Sequence, residues 1–580
     1  MTTDQPTQQE RPWPKVSRLR TVGPVVLVVV ALVAAGIGAT VHERSGSSGS
    51  RAGSVNGASV PITYALAAKE GKLDLYDWGP MCDPNTGRYK IPTYGSPACV
   101  PIPKAGASNG GATANGVTAK TINIVDYQAQ PSALNSIVGA ALGTPEQNRE
   151  TAQDYVDMFN HVFEMYGRQV KLIFFNASGS SSDPVAAHAD AITVGQQLHA
   201  FASIGGPSGT TAYQDELARL HVICTGCGNS APYGSIAPDA PYVWGNLPTV
   251  DTSLLEAFNY VGAQLNDKPA IWAGTPALQT KKRLFTVITA NQSPPVPGTS
   301  ELAKEVSGWI KQEHLNMTNP ATLTYTDDLS SLSSQATTLA EKLKASGTTS
   351  VIWAGDPIMP IYLTRICAGI NYFPEWIITG LALTDTTGAG RYYDQGEWAH
   401  AFGVTAFGVH VDPNPSQAGL FQWWFGANTQ QPSIAGAASL VPLAQIFTGI
   451  QLAGANLNPD TYMTGLFRSP PAGGGPTTPL LAYGYQGAAP RPSYSSPADY
   501  TFVWYDPTAP GQNEENTEGT GSMRFVNGGA RYRAGTLPAG DVPMFSTAGT
   551  VIDFTTPPDP SPSYPSLAGS PAVKNGDPTG

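Results

Sequence analysis

The sequence predicts an α/β protein of two lobes, each a parallel sheet with helices on both faces, and three observations carry that reading. From Gly116 onward, short apolar strands alternate with helices of amphipathic period, the pattern of parallel strands joined by helical crossovers. One of the connections, residues 201–212, reads Phe-Ala-Ser-Ile-Gly-Gly-Pro-Ser-Gly-Thr-Thr-Ala, that is, strand, glycine turn and helix start. A second strand and helix series begins near Asp251, and 580 residues are too many for one core.

Residues 21–41 carry no ionisable side chain, and 21 helical residues at about 1.5 Å each match the hydrocarbon thickness of a bilayer. Arg11, Lys15, Arg18 and Arg20 precede the run, so the positive-inside rule leaves residues 1–20 in the cytoplasm and the chain after His42 outside. The expectation is a single-pass anchor at the cell membrane. The competing reading is a cleaved signal peptide, with Gly36 and Gly38 as small residues before the cut, and a secreted product. The net charge of −11 and a pI near 5.2 exclude a nucleic-acid surface. With 13% charged and 41% apolar residues, the chain is composed to fill a core.

Residues 42–60 are Gly/Ser-rich and read as a flexible stalk. Residues 61–116 form a loop region in which Cys82 and Cys99 bracket a Pro/Gly-rich segment of a length that a disulfide commonly closes, so these two are paired, outside both lobes. Asp83-Pro84-Asn85-Thr86-Gly87 within it lacks the later ligands of a calcium loop and reads as a turn. Cys224-Thr-Gly-Cys227 has the spacing of a redox or zinc pair, but no second pair with metal spacing exists. With Cys367, these cysteines allow one bridge and one free thiol, and the pairing stays open. No metal site and no cofactor are read from the sequence.

In the first lobe, residues 121–126 and 170–175 read as strands, and residues 148–166 as a helix with Ala152, Tyr155, Val156, Phe159, Val162 and Phe163 on one face. Asp183-Pro184 opens a helix that reaches Leu198; strands follow at 201–204 and 221–225, with a helix over 213–220 between them. In the second series, helices are expected at 251–265, 276–290, 300–314, 333–345 and 358–370, and strands at 270–273, 350–354 and 376–381. The domain reading is 117–248 first lobe, 249–378 second lobe, 379–456 first lobe again and 457–555 completion of the second lobe. A helix runs from 435 to 455, a Gly/Pro-rich loop covers 470–499, residues 500–505 form a late strand, and the tail 556–580 is expected to be disordered.

The turn at 201–212 has the chemistry of a small-anion cradle. Its glycines and proline allow a sharp turn, Ser208 and Thr210 offer hydroxyls, and the first N–H groups of the next helix point at its mouth. A plain strand-to-helix turn accounts for the same residues. The spacing is neither a P-loop nor a dinucleotide fingerprint.

In element order and local motifs over residues 116–535, the chain resembles the extracellular substrate-binding proteins of ABC transporters with the type I periplasmic-binding fold, in the branch of the branched-chain amino-acid receptors. The residues that carry the likeness are Gly-Val-Thr-Ala-Lys-Thr-Ile at 116–122, Ser-Ser-Asp-Pro before the helix at 184, the turn at 201–212, and Leu-His-Val-Ile-Cys-Thr-Gly-Cys-Gly-Asn at 220–229. The resemblance implies that Ser208, Gly209 and Thr210 hold a ligand carboxylate and that Gly226, Cys227 and Gly228 add backbone donors or acceptors. It also implies that Thr275 and Asp356 face the cleft from the second lobe. Asp356 would be the counter-charge of a ligand amino group, with a helix N-cap before Pro357 as its other reading. Where that family has an acidic residue after the 376 strand, this chain has Gly380-Leu381-Ala382, and Gly274-Thr275 stand where an aromatic is frequent. The implied partners are a small organic ligand, an amino acid or amide among the candidates, and an ABC permease.

Other classes remain to be weighed. A ligand-sensing or adhesion ectodomain shares the architecture, but a cytoplasmic segment of 20 residues is too short for a signalling domain. A hydrolase would use Glu514, Glu515 and Glu518, which read as a solvated turn; the chain has no Gly-x-Ser-x-Gly and no His-Glu-x-x-His. No catalytic residue is assigned.

Overall fold

The computed structural model describes residues 59–93, 95–130, 143–207, 209–229, 231–291, 298–326, 330–411, 419–426, 429, 432–487, 491–555 and 564–574. The membrane-length run at 21–41 and Ser208 lie outside them. The fold is α/β, built on two parallel sheets flanked by helices.

The first sheet comprises β1 (Thr121–Gln128), β2 (Gln169–Asn176), β3 (Ala202–Ile204), β4 (Ile223–Thr225) and β5 (Val243–Trp244) in the order β2-β1-β3-β4-β5, all parallel. Its crossovers begin where the sequence signals them. α1 (Pro145–Val162) opens with a capping box between Thr144 and Gln147, and α2 (Pro184–Ile192) is capped by Asp183, whose carboxylate accepts from Val185 and Ala186 N–H. α3 (Ala212–Arg219) follows the glycine turn. Ile122, Ile124 and Phe201 pack to one face with Phe159 of α1, while Val125, Tyr213 and Leu217 form the core of the other.

The second sheet begins after α4 (Val250–Tyr260) with β6 (Phe285–Asn291), α5 (Thr299–Gln312), β7 (Met317–Thr326), α6 (Leu332–Ser346) and β8 (Ser350–Ala354). It continues with α7 (Met359–Gly369), β9 (Glu375–Ile378), α8 (Thr387–Tyr392) and β10 (Ala401–Thr405), and the parallel order β7-β6-β8-β9-β10 repeats that of the first sheet. Beyond β10 it is extended by antiparallel strands β11 (Asp499–Gly511), β12 (Gly519–Phe525) and β13 (Val551–Ile552).

Several expectations are corrected here. Residues 270–273 form turns instead of a strand, and the helix expected over 276–290 stops at Gln279, because Phe285-Thr-Val-Ile-Thr is a β-branched run that pairs with both β7 and β8. β10, assigned from the sequence to the first lobe, is the fifth parallel strand of the second sheet. α9 (Leu440–Ala453) packs on the first lobe as read, Phe447 meeting Phe159 and Phe163, whereas α10 (Pro459–Arg468), assigned from the sequence to the second lobe, also packs on the first, Tyr462 meeting Trp244. The helical segment Ala435–Ala453 is long and apolar enough to cross a membrane, yet most of it is buried in this core.

Trp244 organises the end of the first sheet. It is wholly buried, donates from Nε1 to Pro241 O at 2.8 Å, and meets Tyr462, Phe467, Tyr483 and Tyr494 edge-on, each such pair contributing about 0.5–1.5 kcal/mol beyond its area. In the second lobe Arg283 and Glu375, 2% and 0% exposed, form a two-bond ion pair at 2.7 and 2.8 Å, and Ser350 adds a third donor. The expected disulfide Cys82–Cys99 is present, Cys224 is bonded to Cys227, and Cys367 is a buried free thiol. The tail is docked, not free, over residues 564–574: Tyr564 OH donates to Asp83 and Trp423 Nε1 to Pro565 O.

Candidate functional site

In open parallel sheets the carboxyl ends of the strands face the ligand crevice. A cavity of about 820 Å³ lies at those ends of both sheets. The first lobe contributes Asp126, Tyr127 and Gln128 from the end of β1, Gly205 to Pro207 after β3, Thr225 to Cys227 after β4, and Asn246 after β5. The second lobe contributes Gly380, Ala382 and Leu383 after β9, and Ala406 and Phe407 after β10. Gly205 and Gly226 have φ of +65° and +87°, which lets the chain turn at once into the cavity wall.

One side wall is helical. Leu440, Ala444 and Thr448, spaced by four, put one face of α9 on the cavity, with Val441 and Gln445 beside them, and Ala152 and Phe159 of α1 and Phe163 just after it adjoin. The remaining wall comes from the loop closed by Cys82 and Cys99, through Arg88, Ile91 and residues 95–97, and from residues in 469–497 including Leu481 and Tyr483. The disulfide loop therefore belongs to the cavity, which corrects its expected place outside both lobes. Arg88 fastens it by donating to Pro470 O and Pro471 O at 2.8 and 2.9 Å, and to Ser96 O at 2.6 Å.

Several polar groups of the wall already hold hydrogen bonds, while Gln214 Nε2 is buried without a partner among the described residues. Asn229 Oδ1 accepts from the N–H of Asn246 and Leu247, Asn246 Nδ2 donates to Gln445 Oε1 at 2.9 Å, Tyr127 OH donates to Asp190, and Tyr213 OH bonds Ser203. Arg88 and Asp126 bring the only acidic or basic side chains among the described lining residues. Burial pushes the Asp126 carboxyl up to about 6, against a Gln128 hydrogen bond and the charge of Arg149 that favour the carboxylate. No histidine lines the cavity among the described residues, and Cys227 is held in a disulfide.

The sequence-derived residues separate. Thr210, Gly226 and Cys227 line the cavity, the Thr210 hydroxyl accepting from Ala212 N–H at 3.1 Å. Gly209 is set back: its N–H donates to Ser181 O at 2.7 Å, and a Cβ there would meet Ser182 at 2.8 Å. Gly228 is turned toward β5, donating to Trp244 O at 3.1 Å. Thr275 lies at the opposite, amino ends of the strands of the second sheet, since Gly274 N–H donates to Phe373 O just before β9 and Gly274 abuts His400 just before β10. Asp356 caps α7: Oδ1 accepts from Ile358 and Met359 N–H at 2.6 and 2.9 Å, and Tyr325 OH donates to Oδ2. It is not among the residues lining the cavity. Sequence reasoning missed Asp126, the α9 face and the two loops. The Leu440, Ala444, Thr448 spacing was the one available signal.

Glu514 and Glu515 do not form a solvated turn. Glu514 accepts from Thr387 and Gly388 N–H at 3.0 and 2.7 Å at the start of α8, and burial together with the neighbouring Glu514 pushes Glu515 up to about 7.

Comparison with known proteins gave no matching family model and no matching curated sequence. Solved structures do match. A fatty acid ABC transporter substrate-binding protein from Thermomonospora curvata is 13% identical, with a TM-score of 0.45 over 70% of this chain and 92% of its own. An ABC transporter substrate-binding protein from Aeropyrum pernix is 13% identical, with a TM-score of 0.47 over 72% and 96%. The branched-chain amino acid transporter substrate-binding protein LivJ from Streptococcus pneumoniae, in complex with isoleucine, is 13% identical, with a TM-score of 0.43 over 70% and 99%.

Proposed function

We propose that this protein is an extracytoplasmic solute receptor, tethered through residues 21–41, that holds a bulky and mainly apolar organic molecule between its lobes and delivers it to an ABC permease. The observation that carries the reading is the cavity itself: about 820 Å³, at the carboxyl ends of both sheets, walled largely by Phe, Leu, Ile, Ala and Pro side chains. Cavities of roughly 300–1,000 Å³ take drug-sized ligands, and a few placed polar groups fix their orientation.

Thr210, Gly226 and Cys227 would meet the polar end of the ligand, with Asp126 beside them, and the α9 face would meet its apolar body. The hydrogen bonds already made by Asn229, Asn246 and Gln445 support a ligand with few polar groups, because a strongly polar one would have to displace them. The engagement of Asp356 as a cap weighs against an amino-acid ligand held through its ammonium group.

The test is a thermal-shift screen of the full chain in detergent against amino acids, amides, aromatic acids and long-chain aliphatic acids and amides, followed by calorimetry on each hit. The expected hits are the large apolar compounds. Stabilisation by free amino acids alone would overturn the ligand class, and no hit in any class would overturn the receptor reading. The mature N-terminus, read by mass spectrometry, tests the tether; a start near Ala39 would remove it.

A further inference from the structure

A group of residues outside the cavity wall has the chemistry of a cation site. Asp385 follows β9, His410 follows β10, Glu514 lies in the turn between β11 and β12, and Asp553 follows β13. His410, Glu514 and Asp553 each present a ligand atom, and these atoms lie within 4.8 Å of one another. His410 Nδ1 is hydrogen-bonded at 3.0 Å to Asp553 Oδ2, a separation that also fits two ligands at right angles about one ion with bonds of about 2.1 Å.

The hydrogen bonds leave the group short of positive charge. Asp553, 1% exposed, accepts from His410 and from the Thr387 hydroxyl, and Glu514 accepts from the N–H groups of Thr387 and Gly388. Asp385 stands two residues before Thr387 and is 3% exposed; its Oδ2 accepts from Thr405, while Oδ1 has no hydrogen-bond partner among the described residues. Glu515 Oε2 is a second buried acceptor without a donor, and its carboxylate converges with that of Glu514 on Gly388, where a Cβ would meet both within 3.2 Å. The nearby Arg391 is turned away, donating to the carbonyls of Gly511, Thr517 and Gly521. One imidazole therefore faces several carboxylates in a partly buried setting, an arrangement that a cation would relieve.

We propose that His410, Glu514 and Asp553 bind one divalent first-row transition ion, with Asp385 as a nearby buried carboxylate. The ion would fasten the antiparallel extension β11–β13 to the loops that follow β9 and β10. A donor set that mixes imidazole and carboxylates suits Mn²⁺ or Zn²⁺ better than Ca²⁺, which takes six to eight oxygens. On binding, the proton shared by His410 Nδ1 and Asp553 leaves to solvent and the nitrogen lone pair goes to the metal. Leu383 and Phe407, which line the cavity, flank Asp385 and His410 in sequence, so the ion would also fix that part of the wall.

The test uses the full chain, stripped with EDTA and titrated with Mn²⁺ by electron paramagnetic resonance and with Zn²⁺ by calorimetry. One equivalent per chain is expected, with a higher unfolding midpoint in metal than in EDTA. Asp553→Asn and Glu514→Gln should each weaken Mn²⁺ binding by at least about tenfold. No stoichiometric uptake by folded wild type at millimolar metal would overturn the site, a result that needs no variant to fold. Wild-type affinity in folded Glu514→Gln, or tighter binding of Ca²⁺ than of Mn²⁺ and Zn²⁺, would overturn the donor set.

Discussion

Ala444 is the smallest residue at the centre of the α9 face on the cavity, and Ala444→Trp is the most direct test of the proposed ligand class. A cavity of about 820 Å³ has room for roughly 27 water volumes of about 30 Å³, hence for a ligand of roughly 25 non-hydrogen atoms. At about 0.3 kcal/mol per atom such a ligand binds with about 7.5 kcal/mol, a dissociation constant of a few micromolar. Tryptophan adds about nine non-hydrogen atoms to the wall, so the largest ligand loses about 2.7 kcal/mol, close to a hundredfold in affinity. Along a homologous series, each methylene should change wild-type affinity by about 0.8 kcal/mol, near fourfold, until the cavity is full. Calorimetry with both proteins measures this. Circular dichroism should show an unchanged fold, because the new ring enters the cavity and not the packed core. Wild-type affinity for the largest ligand in folded Ala444→Trp would refute the reasoning.

The remaining predictions concern the frame around the cavity. Replacing Cys82 and Cys99 by alanine should cost about 3 kcal/mol in urea unfolding, from loop entropy over a separation of 17 residues, and should weaken ligand binding because the freed loop carries Arg88 and Ile91. Arg283→Met should cost about 3–5 kcal/mol by leaving Glu375 charged and buried, and Arg283→Met with Glu375→Leu should recover much of it, both read from urea midpoints. Burial pushes Glu397 up to about 9, against the Trp376 hydrogen bond, so between about pH 4.3 and 9 the folded chain keeps a proton that the unfolded chain has lost. Stability should then fall with rising pH by about 1.4 kcal/mol per unit from this group, and Glu397→Gln should flatten that slope in urea titrations at pH 6, 7 and 8.

Local chemistry was legible in the sequence wherever one segment sufficed to express it. Asp183-Pro184 capped a helix as read, the 3.6-residue spacing of Ala152, Tyr155, Val156 and Phe159 gave a buried face, and Cys82 and Cys99 lay close enough in the chain for their pairing to follow from loop length. The turn at 201–212 was read as a site from its glycines and hydroxyls, and Thr210 does line the cavity. The β-branched run at 285 was read as helix because a short apolar segment has no period of its own, and its partners β7 and β8 had to be known first.

The sequence by itself determined the alternation of strands and helices, hence an α/β chain with parallel sheets, because each element's period, cap and breaker are local properties of its own residues. Only the tertiary structure decided which residues share a wall. Arg88, Asp126, Gly380 and Ala444 meet around one cavity although they come from well-separated parts of the chain, and Asp356, adjacent to a strand end as a site residue should be, caps a helix instead. Glu514 looked solvated because its neighbours in sequence are polar, and it is partly covered because the start of α8, far off in the chain, donates Thr387 and Gly388 N–H to it. The convergence of distant segments is set by sheet order and lobe crossing, which depend on the sum of many contacts and are written in no single stretch of chain.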